Sequence, residues 1–221
     1  MRILALDAAL ACCSVALVED GTVIASRTVA SSRGQQALLA PMLEDVLRAL
    51  PPGARLDGVA VTVGPGSFTG LRSALALAHG VAAGQCPVLG VTVAEALQAE
   101  IEHSPRPLAG RTLWTAIDSR RARVFLSVNG QVKPWQLDAL PTPDGPIALA
   151  GDAAIAVTAR LASRGFDVRL TDARLPRVEH VAAVGARRLR GELPPLEAMP
   201  LYIDPPEAKL PAGGLRPPPA P

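Results

Sequence analysis

The sequence has little charge and almost no lysine. Charged residues make up 19% of the 221 residues, and the formal net charge is +2. Of the 22 basic residues only Lys133 and Lys209 are lysine. This preference for arginine indicates the base composition of the genome rather than a functional requirement. Proteins dedicated to nucleic-acid binding usually show a strong basic excess. The charge balance therefore argues against that class.

Cysteine is also scarce. The chain has only Cys12, Cys13 and Cys86, and two of these are adjacent. An odd number of cysteines with this spacing gives no disulfide framework, which predicts a reducing compartment. Neither a Cys-x-x-Cys pair nor a Gly-x-Ser-x-Gly motif is present.

The sequence also lacks a long apolar run. The charge-free stretch between Arg72 and Glu95 is interrupted by Gly84, Gln85 and Pro87, which makes it a poor membrane span. The run 1–7 is too short for a signal peptide and predicts a strand. Because 49% of the residues are apolar, there is ample material for a core. We therefore expect a soluble cytoplasmic protein that does not bind a membrane.

The first half predicts the element order βββαβαβα. Glu19-Asp20-Gly21 supplies hairpin turn chemistry, so the first strands should be antiparallel, whereas the later strand–helix crossovers require parallel pairing. The result is a mixed five-stranded sheet with helices on its faces. The predicted strands are 2–7, 13–18, 22–30, 57–63 and 87–91, and the predicted helices are 35–50, 70–84 and 93–102.

The second half repeats this order more weakly after the break at 103–107. Its predicted strands are 111–118, 123–129, 147–150 and 167–170, its predicted helices are 152–163 and 179–190, and 134–146 is a Pro-rich irregular segment. We therefore predict an α/β protein of two tandem βββαβαβα-type subdomains, 1–106 and 107–204. The Pro- and Gly-rich tail 205–221 is expected to be disordered.

A glycine-rich stretch, Gly64-Pro-Gly-Ser-Phe-Thr-Gly-Leu-Arg72, separates a buried strand from a helix. In α/β proteins such a junction holds a ligand or a close backbone contact. Gly64 and Gly66 permit a tight turn, and Ser67 or Thr69 can cap the helix, whose free amides attract anions. The spacing G-x-G-x-x-x-G fits neither a P-loop nor the dinucleotide fingerprint. A structural turn and a ligand-contacting loop both remain open.

The first two helices carry more apolar surface than one sheet contact needs. The face of helix 70–84 that should be charged carries Ala76, Gly80, Ala83 and Gly84 instead. Either the second half of the chain covers these helices, forming a thick internal core, or another protein does, and we favour another protein. The candidate interface residues are Leu39, Met42, Leu43, Leu47, Leu75, Ala78, His79 and Gly80.

Few residues are candidates for catalysis. The three histidines, His79, His103 and His180, lack the i, i+4 spacing that grips a metal from one helix face, so we predict no metal site and no catalytic residue. An enzyme of this fold, such as a nucleotide hydrolase or a metallopeptidase-like protein, would have to use Asp7 and Asp118. For Asp7 a solvated or hydrogen-bonded carboxylate is preferred over a cation ligand.

Two arginine clusters could face an RNA backbone. They are Arg120, Arg121 and Arg123, and Arg187, Arg188 and Arg190. A solvated face is the preferred interpretation of each cluster.

Several of these segments together resemble the TsaB (YeaZ) family. The similarity extends over nearly the whole chain to Ile203, and the Gly64–Arg72 string is its most specific part. The matching segments are Arg2–Asp7, Cys13–Leu17, Leu39–Leu47 around Pro41-Met42, Gly64–Arg72, Ala116–Asp118 followed by Arg120, and Pro200–Ile203.

The resemblance implies an actin-like ATPase (ASKHA, ribonuclease-H-like) fold and a non-catalytic role. Family members pair with the catalytic homologue TsaD, and further with the ATPase TsaE, in transferring a threonylcarbamoyl group to an adenosine of ANN-decoding tRNAs. The family pairs through its first two helices and often self-associates through the same helices. By this resemblance we expect no cofactor, and tRNA contact only through the complex.

The chain departs from the family pattern in four places. Gln35 stands where relatives often have His, and Asp204 replaces an expected Arg. The second half is short, and the Pro-rich tail is unusual. These departures leave the roles of the second subdomain open.

Overall fold

The computed structural model describes residues 1–31, 34–106, 108–119 and 123–203, which form ten strands and five helices. The first half contains β1 (Arg2–Asp7), β2 (Cys12–Glu19), β3 (Thr22–Ala30), α1 (Gln35–Leu47), β4 (Gly58–Gly64), α2 (Phe68–Ala82), β5 (Val88–Thr92) and α3 (Val93–Glu102). The second half contains β6 (Thr112–Asp118), β7 (Arg123–Val128), β8 (Gln131–Gln136), β9 (Ile147–Ala150), α4 (Ala154–Ser163), β10 (Val168–Leu170) and α5 (Val178–Leu189).

The two halves build the same kind of sheet. The strand orders are β3-β2-β1-β4-β5 and β10-β9-β6-β7-β8. In each sheet the first strand pairs antiparallel with the second and parallel with the fourth. The prediction of an α/β protein with two mixed five-stranded sheets is confirmed.

Two local predictions are also confirmed. Asp20 and Gly21 both have positive φ, 47° and 82°, as a two-residue hairpin turn between β2 and β3 requires. Thr92 caps α3 in a capping box, in which its side chain accepts from the Glu95 amide and the Glu95 carboxylate accepts from the Thr92 amide.

The second half departs from the βββαβαβα order in one place, within the segment that was predicted to be irregular. The segment 137–146, all of which is described, contains no helix, although α1 occupies the corresponding position in the first half. Leu140 from this segment is buried instead among Trp114 and Leu149. The strand β8 extends into the segment 134–146, which was expected to be irregular, and its position at the edge of the sheet tolerates Pro134.

The core of the first sheet involves both halves of the chain. One face is covered by α1 and α2. The other face, with Ile3, Ala5 and Ala60, is covered by α5 from the far end of the chain. Helix and sheet approach so closely there that a Cβ at Gly185 would lie 2.5 Å from the Ala60 Cβ. The predicted subdomain boundary at residue 106 falls between the two sheets, but α5 from the second half packs on the sheet of the first half.

After α5 the chain returns to the first sheet. We call residues 194–203 the C-terminal segment. The Gly90 amide of edge strand β5 donates to the Leu196 carbonyl at 3.1 Å, and the Leu201 amide donates to the Val63 carbonyl at 2.8 Å. The C-terminal segment thereby covers an edge that would otherwise expose unpaired backbone groups. The tail 205–221 lies outside the described residues.

Across the described ranges, no helix combines the length and apolar character needed to cross a membrane.

Candidate functional site

The glycine-rich loop joins β4 to α2 and begins that helix. Ser67 is the N-cap residue, and its hydroxyl accepts from the Gly70 amide at 3.2 Å. The predicted cap is therefore confirmed at Ser67. Thr69 lies exposed in the first turn of α2, where its carbonyl accepts from the Ser73 hydroxyl.

The close backbone contact of this loop is to the turn between β1 and β2. A Cβ at Gly66 would lie 2.1 Å from the Ala9 carbonyl oxygen, and one at Gly70 would lie 2.2 Å from that of Ala8. The Ser67 amide donates to the Ala9 carbonyl at 2.6 Å, so it is not free to hold an anion. For Gly66 and Ser67 these contacts favour the structural turn over the ligand loop.

The loop has one further neighbour at its start. Gly64 has a φ of 120°, and a Cβ there would lie 3.2 Å from Leu71 and 3.5 Å from the Leu201 carbonyl oxygen. The backbone conformation and the C-terminal segment therefore both favour glycine at this position.

Gln35 completes this arrangement, and sequence reasoning did not find its role. Its side-chain nitrogen lies 2.6 Å from the Leu10 carbonyl, 3.1 Å from that of Cys12 and 3.0 Å from that of Ser31. The buried amide thus ties the start of α1 to the β1–β2 turn. From the sequence, Gln35 was notable only because relatives often have His there. Its partners are backbone carbonyls, which every residue has, so the sequence could not identify them.

Asp7 is fully buried at the end of β1. Its Oδ1 accepts from the Thr62 hydroxyl at 2.7 Å and from the Ala9 amide at 3.1 Å. Among the described residues its Oδ2 has no hydrogen-bond partner, and neither does the hydroxyl of Ser14, which lies opposite it on β2. Burial raises the pKa of the Asp7 carboxyl to about 6. Asp7 is thus a hydrogen-bonded carboxyl, but not a solvated one.

The turn after Asp7 packs against the second sheet. Ala9 and Leu10 share a buried cluster with Ile117 at the end of β6 and Ala150 at the end of β9. Asp118 follows Ile117 and is exposed, and its amide donates to the Asp152 carboxylate at 2.9 Å. Apolar side chains therefore fill the contact between the two sheets at the end of β1.

Most of the predicted interface residues lie in the core of the chain itself. The expectation that they are uncovered is wrong, because α1 packs on β2, α2 packs on β4, and the two helices pack on each other. Each of the following is no more than 8% exposed: Leu39, Met42, Leu43, Leu75 and Ala78. Leu47 is half-buried against the same core. His79 is exposed, with its Nε2 3.0 Å from the Ala198 carbonyl oxygen.

The small residues of the two helices, in contrast, are exposed. A Cβ at Gly80 would meet nothing within 4 Å. The sequence from Ser73 to Ala82 contains no Asp, Glu, Lys or Arg, so this part of α2 presents an uncharged surface. We call the following exposed residues the α1–α2 surface: Ala37, Ala40 and Pro41 of α1, and Ala76, Gly80 and Ala83 at α2.

In the late arginine cluster Arg190 is exposed, as the preferred interpretation expects, but Arg188 is not solvated. Arg188 is 8% exposed, its Nη2 lies 2.5 Å from the Glu95 carboxylate, and it also donates to the Gly90 and Pro194 carbonyls. Arg187 pairs with Glu102. These arginines hold α5, α3 and the C-terminal segment together. Of the earlier cluster, Arg120 and Arg121 lie outside the described residues.

The three histidines do not come together in the structure. The rings of His103 and His180 lie 5.5 Å apart, and His79 is on another helix. Within the ranges that the structure describes, no three His, Cys, Asp or Glu side chains converge as a metal site would require.

A cleft of about 1030 Å³ was not foreseen from the sequence. It lies between α3, the second sheet and the C-terminal segment, and Thr115 and Ser127, which pair across β6 and β7, line it. Nothing in the spacing of these residues signals a cleft, because it arises from the packing of distant segments.

Residues 26–143, more than half of the chain, match the model of the family described as TsaD, tRNA N6-adenosine threonylcarbamoyltransferase. The chain is 36% identical over 127 residues to the tRNA threonylcarbamoyladenosine biosynthesis protein TsaB of Escherichia coli (strain K12). It is 30% identical over 132 residues to the protein of the same name from Haemophilus influenzae. The chain belongs to the TsaB (YeaZ) family.

A solved structure agrees with this membership. YeaZ from Pseudomonas aeruginosa is 27% identical and superposes with a TM-score of 0.71, covering 91% of this chain and 99% of that one. The matches to the E. coli and H. influenzae TsaB proteins cover 57% and 58% of this chain. The chain spans about half, 53%, of the length of each of these TsaB relatives.

The family match covers the elements that form the α1–α2 surface. Residues 26–143 contain all of α1, the glycine-rich loop and α2. The site residues considered for this TsaB-family chain therefore lie largely inside the matched region.

Proposed function

We propose that this chain is a non-catalytic accessory subunit that pairs with, and activates, a TsaD-type catalytic subunit. The complex would transfer a threonylcarbamoyl group to the adenosine of ANN-decoding tRNAs. Its TsaB relatives are named for the biosynthesis of this modified nucleoside. A TsaE-type ATPase would join the complex, and tRNA would contact the complex rather than this chain alone. Such a role places the chain in the cytoplasm, where its free cysteines stay reduced.

The observation that carries the proposal is the uncharged, small-residue surface of α2. Ala76, Gly80 and Ala83 are exposed, although the outer face of a helix usually carries charged residues. Small residues let a second helix approach closely. The α1–α2 surface therefore suits pairing with the two corresponding helices of a related subunit, or with those of a second copy in a homodimer.

The geometry around Asp7 supports the non-catalytic part of the proposal. The carboxyl group is enclosed, and the turn beside it packs on Ile117 and Ala150 rather than lining an open cleft. A catalytic carboxylate must reach substrate or metal. If the purified chain hydrolysed ATP and Asp7→Ala abolished this activity, the alternative of a nucleotide-hydrolysing or metallopeptidase-like enzyme would replace the proposal.

The test is copurification with the TsaD-type subunit of the same organism. Gly80→Leu places a branched side chain where the helices would meet, and it should not disturb the fold, because Gly is about 1 kcal/mol worse than Leu inside a helix. We expect wild type to copurify with the partner and Gly80→Leu to fail, with unchanged circular dichroism.

Gly145→Leu is the matched control. Gly145 lies in a loop of the second half, and a Cβ there also meets nothing within 4 Å. This variant should copurify like wild type. If Gly80→Leu still pairs, α2 is not the interface. If wild type does not pair, the accessory role itself fails.

A further inference from the structure

Three of the exposed large apolar residues in the described ranges lie at the start of α2 and in the C-terminal segment. Phe68 is 62% exposed at the start of α2, and Met199 and Tyr202 of the C-terminal segment are 62% and 57% exposed. Phe68 and Tyr202 share one neighbour, Arg72, which lies one helical turn after Phe68. Exposed aromatic and arginine side chains in one place are typical of interface hot spots.

Arg72 is held in a fixed orientation by these neighbours. Its guanidinium carbon lies 3.3 Å from the centroid of the Phe68 ring and 5.8 Å from that of Tyr202. Its Nη2 donates to the Tyr202 hydroxyl at 2.6 Å. Stacking and this bond remove much of the freedom that an exposed arginine would lose on binding.

The position of Tyr202 is itself fixed by the fold. The neighbouring Leu201 amide donates to Val63 of β4, and the Ala198 carbonyl lies 3.0 Å from His79 Nε2 on α2. The C-terminal segment is therefore attached at two points, to β4 before α2 begins and to α2 itself after Arg72. This attachment brings a ring from the end of the described chain onto α2.

The guanidinium keeps hydrogen-bond donors unused. An arginine has five N–H groups, and in the described ranges Arg72 donates only to Tyr202 and has no carboxylate partner. On the neighbouring helix α1, both carboxylates already have partners, because Asp45 pairs with Arg27 and Glu44 with Arg48. Arg72 is the only Lys or Arg in α2.

Phe68, Arg72, Ala76 and Gly80 form one i, i+4 row on α2, so the cation lies at the end of the α1–α2 surface. We propose that Arg72, held between Phe68 and Tyr202, binds a carboxylate side chain of the partner subunit and anchors that surface. This inference rests on the proposed function.

A partner carboxylate fits this site better than an RNA phosphate. Binding to a phosphate backbone draws on several cations spread over a surface. Here a single arginine lies between the rings of Phe68 and Tyr202, and the small side chain of Ala76 follows it one turn later on α2. A planar guanidinium in apolar surroundings matches a carboxylate in two-bond geometry, as in dry protein interfaces.

The test measures the affinity of the purified chain for the TsaD-type subunit. We expect Arg72→Gln to weaken binding by about tenfold or more, because it leaves a buried partner carboxylate unpaired. Tyr202→Phe keeps the ring and removes the hydroxyl, so it should weaken binding less, and it should have no added effect in the Arg72→Gln background. Arg160→Gln, at an exposed arginine of α4, is the control and should bind like wild type.

A charge reversal identifies the partner group. Arg72→Glu should abolish binding, and one Asp→Arg or Glu→Arg substitution in the partner should restore it. Full affinity of Arg72→Gln would overturn the anchor, and the proposed function would still stand if Gly80→Leu abolished pairing. An unchanged subunit affinity with loss of tRNA retention by the complex would assign Arg72 to RNA, which also overturns the inference. Absence of pairing by wild type would reject the proposed function itself.

Discussion

At the scale of single residues, the glycines and polar side chains around the β1–β2 turn are explained by backbone contacts. The sequence indicated that Gly66 lies at a close approach, and Ser67 was one of two residues predicted to cap α2. The sequence could not indicate that the loop approaches Ala9, more than fifty residues earlier in the chain. Such a contact is made to carbonyl oxygens, which every residue type carries. A glycine in the sequence therefore predicts that something packs closely at that position, but it does not predict which residue does so.

The pKa of Asp7 predicts how its carboxyl affects stability. Burial raises this pKa from 3.8 to about 6, so between these values the folded state keeps a proton that the unfolded state releases. Stability should therefore fall as pH rises from about 4 to 7. Asp7→Asn removes this loss and keeps an oxygen to accept from Thr62. We expect it to be more stable than wild type at pH 7 by up to about 3 kcal/mol, and nearly equal at pH 4.

Urea unfolding at several pH values measures this difference. Asp144→Asn, at an exposed position in a loop, provides the matched change and should follow the wild-type pH dependence. Parallel curves for wild type and Asp7→Asn would contradict the prediction and would place the carboxyl in contact with solvent or a cation.

At the scale of elements, the sequence predicted strands better than surfaces. The limits predicted for β1 and β3, 2–7 and 22–30, agree with the structure. A short apolar run marks β1, and β-branched residues that follow the Asp20-Gly21 turn mark β3. The exposed faces of α1 and α2 were harder to predict. Hydrophobic spacing shows how broad an apolar stripe is, but not how far a twisted sheet and a neighbouring helix extend over it. Leu39 and Leu75 therefore lie in the core.

Arg188 joins three elements and should be essential for their packing. It is buried on α5 and donates to Glu95 on α3 and to the Gly90 and Pro194 carbonyls. Arg188→Ala leaves these acceptors without their donor, so we expect a loss of about 3–5 kcal/mol in the free energy of unfolding. Urea denaturation measures it.

Glu95→Gln is the milder companion variant. Glutamine keeps the capping box with Thr92 and removes only the charge. Its loss should be clearly smaller than that of Arg188→Ala. Equal losses would mean that the ion pair, rather than the set of carbonyl contacts, carries the stability.

At the scale of the whole molecule, the two sheets should not unfold independently. The helix α5 covers the first sheet, and Ala9 and Leu10 pack on the second. Both tryptophans, Trp114 and Trp135, lie in the second half, whereas circular dichroism reports on both halves. We expect the fluorescence and circular dichroism transitions in urea to coincide, as in a single cooperative unit.

A variant at the boundary sharpens this test. Gly185→Ala puts a methyl group against Ala60 of the first sheet, so it should destabilise the protein by about 1–3 kcal/mol. The tryptophan signal should shift by the same amount as the circular dichroism, although neither tryptophan touches the substitution. Separate midpoints would show that the halves unfold as two units.

The return of the C-terminal segment to α2 has a consequence for biogenesis. Tyr202, which positions Arg72, follows helices α1 and α2 in the sequence and is therefore synthesised after them. A nascent chain thus displays its helical pair before the aromatic clamp exists. Recognition by another subunit would then await synthesis of the C-terminal segment, and products that terminate before this segment would be poor competitors for that subunit.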